Sequence, residues 1–176
     1  MGNSPDTARK NVEQHHQEAP GSAIDLEPIY FRFKSVEFKF LSNFFEAPFE
    51  LDGTRYQSVE HYFQSQKFVD LPGIQSEIIS ASSPQKAKKL GSGYQLPEPL
   101  YDRWFERRDD VMLHGLRAKF DQNPRLQKQL LATGERPIIE NTNDSYWGRG
   151  VSGEGQNRLG VLLMALRQEI RAEQAA

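Results

Sequence analysis

Residues 51–68 read Leu-Asp-Gly-Thr-Arg-Tyr-Gln-Ser-Val-Glu-His-Tyr-Phe-Gln-Ser-Gln-Lys-Phe, and they pass from a turn to a helix within a few positions. Asp52-Gly53 is a strong hairpin signal, because these residue types accept the positive φ of a tight two-residue turn, so short strands are predicted on either side. Ser58 supplies a side-chain oxygen for a helix N-terminus and predicts a helix over residues 58–67. At about 100° per residue, Glu60, Gln64 and Lys67 fall within an arc of roughly 60°, so a carboxylate, an amide and an amine project from one face. By spacing alone that face fits ordinary solvent exposure, but Phe63 and Phe68 flank it and point it towards a cleft. Val59 and Tyr62 read as core.

Working outward, 12 of the chain's 19 aromatic residues lie within residues 30–68, so this region dominates the core or a pocket. Phe31 and Phe33, then Phe38 and Phe40, alternate with Arg32, Lys34 and Lys39, which predicts a half-buried strand pair. A helix over residues 73–81 follows. Ser83-Pro84 predicts a further helix start, and Gly91 after Lys88 and Lys89 predicts its end. The longest helix is predicted from Asp102 or Arg103 to Asn123, with Asn123-Pro124 stopping it and capping a short helix that ends near Gly134. A short strand over residues 137–140 and a terminal helix over residues 159–170 complete an α+β fold. The expectation is a single compact, mostly helical domain with a few short strands.

The chain has 176 residues, enough for one domain with a sizeable core and too few for two of ordinary size. Zero cysteines exclude a disulfide framework, a thiolate nucleophile and a zinc site built on Cys. A net charge of −2 excludes a whole-chain basic field for gripping duplex DNA, while leaving room for a local basic patch. No apolar run reaches membrane-span length and the first residues hold no secretory core, so the expected location is intracellular, cytoplasmic or nuclear, with no membrane. Gly2 fails the myristoylation pattern because position 6 is Asp6. Residues 1–28 are polar, lack aromatics and read as a disordered leader; residues 29–172 read as the domain and 173–176 as a frayed C-terminus. His15 and His16 read as bystanders in that leader.

Residues 141–158 form a long loop between a predicted strand and a predicted helix, and Tyr146 and Trp147 are placed to anchor it. Gly148, Gly150 and Gly153 spell G-x-G-x-x-G, but they do not directly follow a strand and open no helix, which excludes the dinucleotide fingerprint. What remains is either a plain turn or an anion cradle. The cradle would use the backbone of Gly148 and Gly150, Arg149 and Arg158, and the helix N-terminus near Asn157. His61 and His114 lack metal-ligand spacing, so no metal and no cofactor is expected. The sharpest chemistry is a carboxylate pair, Glu60 with Asp144, because cleavage through a cationic sugar transition state needs a negative group beside it.

Several strings together resemble the NADAR family, named for a suspected link to NAD and ADP-ribose. They are LSNF at residues 41–44, SVEHYFQSQKF at 58–68, residues 83–90, and Trp104 through Arg108 to Val111-Met112. They continue with Ala118-Lys119-Phe120, Asn123-Pro124, LLATG at 130–134, DSYWG at 144–148, and residues 155–167, in family order. The chain is similar, through that family, to bacterial N-glycosidases acting on early riboflavin intermediates. The segment from Tyr94 to Tyr101, with Pro97 and Pro99, matches no motif.

The resemblance implies a compact α+β fold and a pocket that hydrolyses an N-glycosidic bond to ribose. It implies removal of ADP-ribose from guanine in nucleic acid, or cleavage of riboflavin intermediates, with Glu60, Trp104 and Asp144 at motif positions and Lys67 and Asn43 nearby. The expected partners are ADP-ribosylated nucleic acid or a phosphorylated ribosyl small molecule, with no obligate protein partner. Glu60 or Asp144 would stabilise the sugar cation or activate water, and Lys67 offers a route through an imine. Gln64 lines the same face, Trp104 or Trp147 would stack on the base, and Arg149 and Arg158 would meet phosphate. A binding module without turnover would need only the cradle and the aromatic platform.

Overall fold

The computed structural model describes residues 26–176. Most of the expected leader, including Gly2 and the His15-His16 pair, lies outside the described residues. In chain order the elements are β1 (Ile29–Phe31), β2 (Phe49–Leu51), β3 (Thr54–Tyr56), α1 (Val59–Ser65), α2 (Pro72–Ile79) and α3 (Pro84–Gly93). They continue with α4 (Glu98–Asp121), α5 (Pro124–Ala132), β4 (Ile138–Glu140) and α6 (Arg158–Ala175). The architecture is α+β and mostly helical, with its strands in two short pairs.

The decisive stretch folds as its chemistry dictates. Asp52 at φ 49° and Gly53 at φ 72° make the tight turn, which sets the antiparallel register Phe49↔Tyr56 and Leu51↔Thr54. Ser58 Oγ accepts the His61 N–H at 3.4 Å at the start of α1, and its hydroxyl also meets His61 Nδ1 at 2.8 Å. The His61 Nε2 side reaches the Ala81 carbonyl at 3.0 Å, so both ring nitrogens are engaged in packing α1. α1 is buried throughout and lies against α2, α3 and α4; α4 in turn packs on α6, and α6 on β4.

Several sequence expectations are corrected or refined. Phe38 and Phe40 do not form a strand: Lys39–Leu41 is a 3-10 turn, and the consecutive residues Phe40 and Leu41 are both buried, which an alternating strand does not allow. β1 instead pairs in parallel with β4, in the register Ile29↔Ile138 and Phe31↔Glu140. Gly91 does not end α3, which runs on to Gly93; it gives room to a neighbouring side chain. α4 begins at Glu98, earlier than expected, because proline at its first turn replaces an N–H that would have no helical partner. Asn123 stands at the N-cap position of α5 as expected, but its side chain makes no cap hydrogen bond there; its Nδ2 donates to Lys119 O at 2.8 Å and Pro48 O at 3.2 Å, closing the end of α4. α6 extends through Ala175, so regular helix occupies most of residues 173–176.

Lys119 organises the approach to the site. Its side chain is 0% exposed, and its Nζ donates to Phe40 O at 2.7 Å and Ser42 O at 2.9 Å. Burial pushes its amine down to about 7. The 3-10 turn before Asn43 is thereby tied to α4. Among the described residues no helix is long and apolar enough to cross a membrane.

Candidate active site

The first turn of α1 and the segment after the 3-10 turn hold each other. The Glu60 N–H donates to Asn43 O at 2.9 Å, while Asn43 Nδ2 donates back to Glu60 Oε2 through a short hydrogen bond. One helical turn on, Gln64 Nε2 donates to Glu60 Oε1 at 2.7 Å. Glu60 is 2% exposed, and burial pushes its carboxyl up to about 7, opposed by the Gln64 hydrogen bond and by the charges of Lys88 and Lys67. Lys67 follows α1 in a second 3-10 turn; its Nζ donates to Gly91 O at 3.3 Å and lies 5.7 Å from the centre of the Trp104 ring. Burial lowers the Lys67 amine below its ordinary range, with the Glu60 charge opposing.

Phe63 joins the two tryptophans, with its ring centre 4.8 Å from Trp104 and 5.3 Å from Trp147, both edge-on. Across the cavity Asp144 Oδ1 accepts the N–H groups of Tyr146 and Trp147 at 2.8 Å each, which fixes the carboxylate and the start of the glycine loop together. Glu60, Asp144, Asn43, Gln64, Lys67, Trp104 and Trp147 all line one cavity of about 670 Å³. The two carboxylates proposed from sequence thus face a shared space of ligand-pocket size.

The anion cradle is corrected. Gly148, Arg149, Gly150, Asn157 and Arg158 are not among the cavity's lining residues, and the loop's backbone N–H groups are engaged internally. Those of Gly148 and Gly150 donate to Asp144 O at 3.1 Å, that of Arg149 to Glu140 O at 2.9 Å, and that of Asn157 to Gly148 O at 3.0 Å. Gly148 is needed for close packing: a Cβ there would lie 2.2 Å from Thr142 Oγ1. Asn157 grips β4, donating from Nδ2 to Ile138 O at 2.8 Å and accepting the Glu140 N–H at 2.9 Å. Arg158 pairs with Asp109 at 2.6 Å, and Arg149 stacks over Tyr30 with 5.6 Å to the ring centre.

The sequence reading missed four charged residues that line the cavity: Lys34, Lys88, Arg108 and Glu140. Arg108 lies 3.5 Å over the Tyr146 ring centre and 4.5 Å from that of Phe105, with its buried Nε unpartnered. Glu140 is 8% exposed; burial, then the charge of Asp144, pushes its carboxyl up to about 7. A signal for it existed. Period 2 across residues 138–140 puts Glu140 on the same inward face as Ile138, and an inward carboxylate is rare without a task. Among the described residues no group of three or more His, Asp or Glu could hold a metal ion.

Past Trp104 the cavity continues into a groove of about 790 Å³ that shares Lys67, Ser92, Trp104 and Phe105 with it. The exposed rings of Tyr101 and Phe105 stand there with centres 4.5 Å apart.

Comparison with known proteins identifies the family of this fold. Residues 30–171 match the NADAR domain. The N-glycosidase YbiA of Escherichia coli is 42% identical over 146 residues, covering 82% of this chain and 89% of YbiA. A riboflavin biosynthesis protein of Vibrio vulnificus is 38% identical over 151 residues, 85% of this chain and 40% of that protein. The NMR structure of E. coli YbiA superposes with a TM-score of 0.77 at 40% identity, covering 87% of this chain and 90% of that one. With a family match over nearly all of the described domain, the chain belongs to the NADAR domain family.

Proposed function

We propose that this protein is an N-glycosidase that hydrolyses the bond between ribose C1 and a base nitrogen. The observation that carries the reading is the convergence of Glu60, Asp144 and Lys67 on one cavity walled by Trp104 and Trp147. As the C1–N bond lengthens, positive charge grows on C1 and the ring oxygen; a buried carboxylate beside it stabilises that charge more than water does. The tryptophans offer flat surfaces for the base, and Lys34, Lys88 and Arg108 offer positive charge for phosphate. Arg149 and Arg158 do not line this cavity.

The substrate class that the relatives favour is an intermediate of early riboflavin biosynthesis, taken as a phosphorylated ribosyl small molecule, since proteins named for N-glycosidase activity and for riboflavin biosynthesis both align with this chain. Removal of ADP-ribose from ADP-ribosylated guanine in nucleic acid is the second reading. The groove beyond Trp104 favours it, because its exposed Tyr101–Phe105 pair suits a further ring of a larger substrate.

Incubation with a phosphorylated ribosyl intermediate of riboflavin biosynthesis and, separately, with ADP-ribosylated single-stranded DNA tests both, beside a Glu60→Ala control. Release of ribose phosphate or of ADP-ribose by the wild type alone identifies the substrate. Tight binding without release by either form would establish a binding module and overturn the glycosidase reading.

A further inference from the structure

We propose that Glu140 is the acid that protonates the departing base, while Glu60 stays an anion beside the sugar. The assignment rests on the glycosidase reading and adds a division of labour between two carboxyls that burial alone leaves alike. Their hydrogen bonding separates them. Both oxygens of Glu60 accept from amide N–H groups, Oε1 from Gln64 and Oε2 from Asn43. An ionised carboxylate only accepts, so two fixed donors suit the anion, and a proton on either oxygen would face an N–H. No group among the described residues donates to the Glu140 carboxylate, and no cation pairs with it within ion-pair distance.

The surroundings reinforce the difference. The cavity presents Glu60 and Lys67 from α1 and its following turn, Lys88 from α3, Arg108 from α4, Lys34 from the segment after β1, and Asp144 from the loop. For Glu60 the charges that register are the cations Lys88 and Lys67, both favouring its ionised form. For Glu140 the anions Asp144 and Glu60 oppose ionisation, and Lys88 alone relieves it. Two acids in one cavity whose environments diverge in this way are the pattern of an acid and an anion with separate tasks.

The Glu140 backbone is also held as a donor should be. Its N–H is bonded to Asn157 Oδ1 at 2.9 Å, and its carbonyl accepts from Thr142 at 3.0 Å and Arg149 at 2.9 Å. The glycine loop thus serves to fix this residue. In the reaction the Glu140 proton passes to the base nitrogen as that nitrogen takes the C1–N electron pair. Water supplies hydroxide to C1, and its remaining proton restores Glu140.

Two measurements decide the matter. In the first, isotope-labelled glutamate carboxyls are titrated by NMR in the free wild type, Glu60→Gln and Glu140→Gln proteins. The carboxyl that keeps its proton to higher pH should vanish in Glu140→Gln and persist in Glu60→Gln; the reverse overturns the assignment. In the second, kcat/KM is compared on an N-ribosyl substrate whose base needs a proton and on a ribosyl nitrophenolate whose leaving group does not. Glu140→Gln should lose about 100-fold or more on the first and under about 10-fold on the second, whereas Glu60→Gln should lose on both. The loss of wild-type activity as pH rises through about 7 should flatten in Glu140→Gln. Equal losses on both substrates for Glu140→Gln overturn the proposal. A wild type inactive on every ribosyl substrate overturns the glycosidase reading itself, and the titration still decides where the proton sits.

Discussion

Gly91 of α3 makes the space that the Gln64 side chain of α1 occupies: a Cβ at Gly91 would lie 2.2 Å from Gln64 Oε1 and 2.9 Å from Gln64 Cβ. Gln64 is the residue that donates to Glu60 Oε1, so the packing of two helices reaches the carboxylate through one amide. Gly91→Ala should therefore destabilise the fold by about 1–3 kcal/mol, the usual scale of overpacking, and lower kcat/KM by at least ~10-fold by displacing Gln64. Denaturant unfolding beside steady-state kinetics checks this. Unchanged kinetics in a destabilised variant would show that Gln64 does not support Glu60.

Lys67 has two possible roles that one reagent separates. Its amine is lowered by burial and stands in the same cavity as Glu60, so a neutral fraction can attack the opened sugar at C1. Borohydride added during turnover should then give a protein adduct of sugar mass on Lys67, absent in Lys67→Arg. Turnover without such an adduct leaves direct attack by water as the route.

Arg158 and Asp109 predict a structural effect in place of a phosphate effect. Asp109 accepts from Arg158 Nη2 at 2.6 Å and from the Tyr146 hydroxyl at 2.6 Å, joining α4, α6 and the glycine loop. The pair is partly exposed, so its loss should cost no more than about 1 kcal/mol from the ion pair. Arg158→Gln should lower Tm by a few degrees and leave KM within about 2-fold. A KM rise of 10-fold or more with unchanged Tm would restore Arg158 as a substrate ligand.

The buried titrating groups set a pH profile for stability. Glu60 and Glu140 are raised from 4.5 to about 7 in the folded chain, so their contribution is complete below about 4.5 and lost as pH rises through about 7. Lys119 is lowered from 10.5 to about 7, so its contribution is complete above about 10.5 and lost as pH falls through about 7. His61, lowered by burial, opposes the carboxylates on the acid side. Unfolding free energy should pass through a minimum near pH 7, measured by urea titration at about pH 5, 7 and 9. Lys119→Met should reduce the alkaline rise and leave the part that Lys67, also lowered by burial, contributes; an unchanged rise in it would assign the effect elsewhere.

Where the sequence was legible, local chemistry decided the structure. Asp52-Gly53 and Ser58 fix their turn and helix start through their own backbone and side chain, and the spacing of Glu60, Gln64 and Lys67 put them on one wall of the cavity. Misreadings arose where distant partners intervene. Phe38 and Phe40 mimic a strand, but β1 finds its partner in β4, far along the chain. The glycine loop has the composition of an anion site; only the fold reveals that its amides bond to Asp144, Glu140 and one another. Glu140 escaped notice because a three-residue strand gives little periodicity to read.

The parallel pairing of Ile29 with Ile138 carries a consequence for synthesis. A nascent chain leaves the ribosome amino end first, so Phe31 must wait uncovered until residues 138–140 arrive, and their clamp Asn157 arrives later still. Contacts of such long sequence separation form slowly, and chaperone demand should peak in that interval. A catalytically competent pocket is therefore an all-or-nothing product of the completed polypeptide, and fragments ending before α6 should be proteolysed instead of retaining partial activity.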